Sequence, residues 1–192
     1  MKKALLILAV VFGILLVVVM SIFGWIRGTY NTMVTMDEQI NGSWAQVENV
    51  LQRRYDLIPN LVETVKGYAS HEREVLTQVT EARARVGGAS SPGQRMEAEQ
   101  GLSGALSRML LVVENYPQLK ADQTFIRLQD ELAGTENRIA VERRRYNESV
   151  QVYNANIRQF PQTILAGMFG FEKRDFFEAD AGAEQAPKVS FE

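Results

Sequence analysis

The chain of 192 residues contains no cysteine and one histidine, His71. The missing cysteines exclude disulfides, thiolate metal sites and a cysteine nucleophile. The lone histidine excludes a multi-histidine metal centre built within one chain. Net charge is also small: 21 Lys and Arg against 23 Asp and Glu leave −2. Nothing in that balance marks a nucleic-acid binder.

One region holds no charge at all. "ALLILAVVFGILLVVVMSIFGWI", Ala4 to Ile26, is about 23 residues long and would reach about 35 Å as a helix, enough to cross a bilayer with some tilt. Lys2 and Lys3 precede it, and Trp25 and Arg27 close it at the interface. A cleaved signal peptide would share the basic start, but the apolar core is too long and no small-x-small cleavage site follows. The expectation is a retained single-pass anchor over residues 1–29, with the bilayer as its partner. The two lysines favour a cytoplasmic N-terminus with the remainder on the outer side of a bacterial inner membrane.

After the anchor, apolar residues step by three and four: Met33, Met36, Ile40, Trp44, Val47, Leu51, Ile58, Leu61, Val65, Tyr68. Arg54 is the one polar step. This seam has a period close to 3.5 residues, as in long packed and coiled-coil helices. A second helix starts after Ser70, a possible cap, and carries Val75, Val79, Ala82 and Val86. "GGASSPG", Gly87 to Gly93, interrupts it, and the pattern resumes through Met96, Leu102, Leu106, Met109 and Val113 until Pro117. A third long pattern follows Asp122, a plausible cap, and runs through Phe125, Ile139, Tyr146, Val150, Tyr153 and Ile157. The pattern predicts an all-α protein: an N-terminal transmembrane helix and an antiparallel bundle over residues 30–160. In the simplest arrangement there are three long helices, the second in two pieces, and the chain ends at the membrane-distal tip. If the Gly-rich break is a sharp reversal, there are four.

Pro59 falls inside the first seam. It cannot donate to the Tyr55 carbonyl and its ring crowds that group. The stripe keeps its phase from Ile58 to Leu61, so one continuous, bent helix is expected. The freed carbonyl needs another donor, such as water or one of Arg143, Arg144 and Arg145. The arginine runs "QRRY" and "VERRRYN" lie beside carboxylates and read first as solvated, ion-paired faces, with an acidic partner as the alternative. The Tyr-Asn pair at 146–147 recurs at 153–154. An Asn beside a seam can hydrogen-bond at the helix flank while the Tyr ring is buried.

The tail, residues 161–192, is apolar and then acidic. Ile164, Leu165, Met168, Phe169, Phe171, Phe176 and Phe177 are candidate contact residues. Either the chain is disordered after Lys173 or its aromatic residues dock on the bundle or on a neighbouring subunit.

"YNTMVTMDEQINGSWAQVENVLQRRYDLIPNLVETVKGYASHEREVLTQVTEARA", "LQDELAGTENRIAVERRRYNESVQVYNANIRQFPQTILAGMFGF" and "FFEADAGAEQAPKVSF" closely resemble the LemA family. The resemblance covers nearly all of the chain from Tyr30 onward. It implies a bacterial, single-pass membrane protein with a helical bundle, and it implies no catalytic residue or cofactor.

The residues themselves carry little catalytic chemistry. "HEREV" lacks the second histidine of a zinc-protease helix, since Val75 stands there. Ser70-His71 has no orienting group, and "GGASSPG" lacks the Lys-Ser/Thr ending of a phosphate loop. The expectation is a non-enzymatic scaffold without cofactor that binds proteins and self-assembles through Ile164 to Phe171. An adaptor or regulator of a membrane enzyme, such as an envelope protease, is the alternative.

Overall fold

The computed structural model describes residues 2–177. Its elements are all helices: α1 (Lys2–Tyr68), α2 (Arg73–Gly88), α3 (Pro92–Val113), α4 (Pro117–Lys120), α5 (Gln123–Arg158) and α6 (Gln162–Phe169). The apolar run and the first bundle helix are one element, with no break at residue 29, and α1 also passes through Pro59. Two compact units divide the chain, and both contain a part of α1 and a part of α5.

The first unit comprises residues up to Gly42 together with Glu148–Arg174. Among the described residues nothing covers α1 from Leu5 to Phe23, whose large side chains are all exposed. Such a stripe on all sides is what hydrocarbon solvates, and the segment is long and apolar enough to cross a membrane. Burial begins further along. Met33 and Ile40 of α1, Val150, Tyr153 and Ile157 of α5, and Leu165 and Ala166 of α6 are all buried. Gly170 ends α6 in the left-handed conformation, with φ 74°, a position that favours glycine.

The second unit, Ser43–Asn147 with the chain from Asp175 onward, is a four-helix bundle. Its core draws Ile58, Leu61 and Val65 from α1, Val79, Ala82 and Val86 from α2, Leu102, Leu106 and Met109 from α3, and Phe125 from α5. Leu119 of the one-turn α4 plugs one end. Fully burying each large aliphatic side chain contributes about 1.5–3 kcal/mol. Directions follow from the pairings. Trp44 meets Tyr146, Arg54 meets Glu136 and Tyr68 meets Asp122, so α1 and α5 run antiparallel. Arg95 donates to the Val86 carbonyl and Arg108 to Gln78, so α2 and α3 are also antiparallel. The Gly-rich break is therefore a reversal, and the bundle has four helices rather than three. At Gly87 an added Cβ would lie 3.0 Å from the Tyr55 hydroxyl, so a larger residue would crowd this corner.

The helix starts follow local chemistry. Asp122 accepts from the N–H groups of Thr124 and Phe125 at 2.8 and 2.9 Å and caps α5, as its sequence context suggested. These bonds and the Tyr68 hydroxyl hold its carboxyl below the usual range. Ser91 caps α3 by accepting from Gln94 N–H at 3.3 Å, with Pro92 at the first helical position. Ser70 does not cap α2. The helix starts later, at Arg73, and the Glu72 carboxylate there accepts from the Tyr116 hydroxyl at 2.8 Å.

Candidate functional site: the α6 segment, the docked tail and a buried ion cluster

Three arrangements bring the candidate residues together. The first lies in the anchor-containing unit. Gln162, the first residue of α6, shares a cavity of about 310 Å³ with Trp25, Gly28, Thr29, Thr32 and Asn156. At the other end, Phe169 and Phe171 both meet the ring of Tyr30 edge-on, at 4.9 and 5.7 Å. The segment after α5 thus lies beside the end of the apolar run. The three-helix arrangement is corrected by this, because the α2–α3 reversal adds one more pass, and the chain end itself lies outside the described residues. Leu165 is 4% exposed, whereas Ile164 and Met168 are 53% and 71% exposed on the outer side of α6.

The second arrangement is the docked tail. Asn154 clasps the backbone of Arg174: Nδ2 donates to its carbonyl at 2.8 Å and Oδ1 accepts from its N–H at 3.0 Å. The Arg174 guanidinium reaches both oxygens of Asp37 at 3.0 Å. In the other unit, Asn147 clasps Phe177 in the same way, at 2.8 and 2.7 Å. Tyr146 donates its hydroxyl to the Asp175 carbonyl at 3.1 Å. Phe177 is buried, with the Arg143 guanidinium 4.2 Å from its ring centroid and Trp44 at 6.4 Å. Within each unit, then, the asparagine of a Tyr-Asn pair holds the tail backbone, and Tyr146 adds a bond in the second. Of the alternatives for the chain after Lys173, docking on the bundle holds as far as Phe177. Phe176 stays half-exposed, and residues 178–192 lie outside the described residues. Arg144 and Arg145 are exposed, and Arg145 pairs with Glu142 at 2.8 Å.

The third arrangement surrounds Pro59 and Arg54. An arginine does serve the Tyr55 carbonyl, but it is Arg83 of α2, whose Nε donates at 3.1 Å. The same guanidinium lies 3.8 Å from the Tyr55 ring centroid. Arg54, expected on a solvated face, is buried instead. Its guanidinium donates to Ser103 Oγ at 2.8 Å and lies 2.9 Å from Glu136 and 3.8 Å from Glu99. Glu99 is fully buried, with Arg95 Nε at 3.7 Å. Burial pushes its carboxyl above the usual range, opposed by Arg54, Arg95 and Arg143. Sequence reasoning missed Glu99 because it offered no contrast with its neighbours in "RMEAEQ".

Ser70 and His71 are both exposed. Among the described residues no group of three His, Asp or Glu side chains is gathered as a metal site. The fold and these contacts define a membrane-associated, all-α protein whose helices hold the extended segment from Arg174 to Phe177. The sequence model of the LemA family matches residues 43–191, most of the chain, and the protein belongs to that family. It is 28% identical over 175 residues to Magnetosome protein MamQ 1 of Paramagnetospirillum magneticum, covering 78% of this chain and 64% of that one. Magnetosome protein MamQ of Magnetospirillum gryphiswaldense is 28% identical over 180 residues, covering 80% and 66%. Protein LemA of Metamycoplasma hominis is 23% identical over 156 residues, covering 79% and 70%. The chain thus spans just under two thirds of the length of the two magnetosome relatives.

Proposed function

We propose that the protein is a non-enzymatic scaffold of the bacterial cell membrane that binds proteins and self-assembles. Its N-terminus is cytoplasmic and its bundle lies on the outer side. The observation that carries this reading is the continuity of α1, which runs as one helix from the uncovered apolar segment into the bundle core. A helix built this way confines the bundle to a membrane surface and concentrates it there. The relatives from the two magnetosome-bearing bacteria are magnetosome proteins, which supports a membrane-associated role.

The test is the mass of the full-length protein in mild detergent together with crosslinking in cells. A multimer that crosslinks mainly to itself is expected. A monomer at every concentration, crosslinked in fixed stoichiometry to a membrane enzyme, overturns self-assembly and makes the protein an adaptor. Orientation is read separately by a Ser90→Cys variant. An impermeant maleimide should label it once the outer barrier is opened with the inner membrane intact.

A further inference from the structure

We propose that the outward face of α6 lies in the headgroup layer of the bilayer that holds α1, so that the protein meets the membrane a second time. This rests on membrane anchoring by α1 and not on self-assembly. Both ends of α6 lie beside α1 between Trp25 and Thr32: Gln162 borders the same cavity as Trp25 and Thr32, and Phe169 meets the Tyr30 ring. Those seven steps rise about 10 Å. The layer between hydrocarbon and water is about 5–8 Å thick, and Trp characteristically sits in it. With Trp25 at that level, α6 has no room to stand clear of the lipid.

The composition of the face agrees. Ile164 and Met168 are exposed on α6, and Phe160, two residues before the helix, is 80% exposed. The inner side of α6 is already occupied by packing within the unit, through Leu165 and Ala166. Four apolar side chains, counting Phe169 at 47% exposed, are few beside the ~20–30 residues a side of a specific protein interface. They suit shallow insertion, where apolar side chains enter the acyl boundary and flanking cations meet anionic lipid. Arg27 and Arg158 supply exposed cations at this end of the unit.

The absence of cysteine allows a direct measurement. Single-cysteine variants Ile14→Cys, Met168→Cys and Ser90→Cys of the full chain would carry a fluorophore in vesicles of phosphatidylcholine and phosphatidylglycerol. Lipids bearing a nitroxide at shallow or deep positions then quench by depth. The probe at Ile14 should lose most fluorescence to the deep nitroxide, that at Met168 to the shallow one, and that at Ser90 to neither. Quenching at Ile14 with none at Met168 overturns the proposal while leaving the anchor intact. Mutual quenching between Met168 probes, diluted out by unlabelled protein, overturns it in favour of a contact between copies. No quenching at Ile14 overturns the anchoring itself and this proposal with it.

Discussion

The side chain of Asn154 pairs with the backbone of Arg174 as one strand pairs with another, donating to the carbonyl and accepting from the amide. Asn147 repeats the pairing with Phe177. The spacing makes one extended segment able to meet both. Seven residues of α-helix rise about 10.5 Å, and three residues of extended chain cover about 10 Å. An asparagine amide is the side chain best matched to this task, since it offers one donor and one acceptor side by side.

The double variant Asn147→Ala, Asn154→Ala should release the tail. Each clasp contains two neutral hydrogen bonds, worth about 1 kcal/mol apiece. Trypsin should then cut after Lys173 and Arg174 at least about tenfold faster, the factor that 1.4 kcal/mol represents. An unchanged rate in the double variant would show that Phe177 burial and the Arg174–Asp37 pair hold the segment without the asparagines.

Pro59 and Arg83 should be coupled through the Tyr55 carbonyl. Proline removes the helix donor to that carbonyl, and Arg83 replaces it from α2. Arg83→Leu should therefore destabilise the protein by about 1–2 kcal/mol, from the lost hydrogen bond and ring contact. In a Pro59→Ala background a backbone N–H returns, and the loss should shrink by about 0.5–1 kcal/mol. Denaturant unfolding of the four proteins measures this, and additive effects would mean that Arg83 acts through the Tyr55 ring alone.

The need for a donor at Tyr55 was legible because Pro59 interrupts a well-phased stripe. Its identity was not, because Arg83 and Arg143 to Arg145 look alike in sequence and only the register of the packed helices decides which is near. The α2–α3 reversal was also left open, since a Gly-Ser stretch encodes flexibility and not direction. Most seam residues were readable from their period: Met33, Ile40, Val47, Leu51 and Tyr153 are buried, whereas Tyr68 is 45% exposed and Val75 is only partly buried beside a buried Leu76. The Tyr-Asn repeat was readable as a hydrogen-bonding flank. Its partner was hidden because the tail has no periodicity and pairs through backbone groups 20 and 30 residues away. Arg54 stood out as the polar step in an apolar seam, yet its burial depended on Glu99 from another helix.

Glu99 should make stability depend on pH in a direction opposite to most carboxylates. Its folded-state pKa is raised by burial above the ordinary glutamate value, about 4.3. The folded protein therefore holds this proton more tightly than the unfolded chain. The group's contribution is fully present below the unfolded value and is lost as pH rises through the folded one. Asp122, whose pKa is lowered, acts in the opposite sense and at lower pH. From neutral pH down to the ordinary glutamate value, Glu99 should add stability on acidification, and Glu99→Gln should remove that contribution by removing the titrating proton. Arg54→Met should go the other way, costing about 3–5 kcal/mol at neutral pH by leaving Glu99 buried with less compensation, and less as Glu99 protonates. Urea unfolding of the three proteins across this range is the measurement. An equal slope in wild type and Glu99→Gln would show that Glu99 keeps its charge inside the bundle, paired to its surrounding arginines throughout.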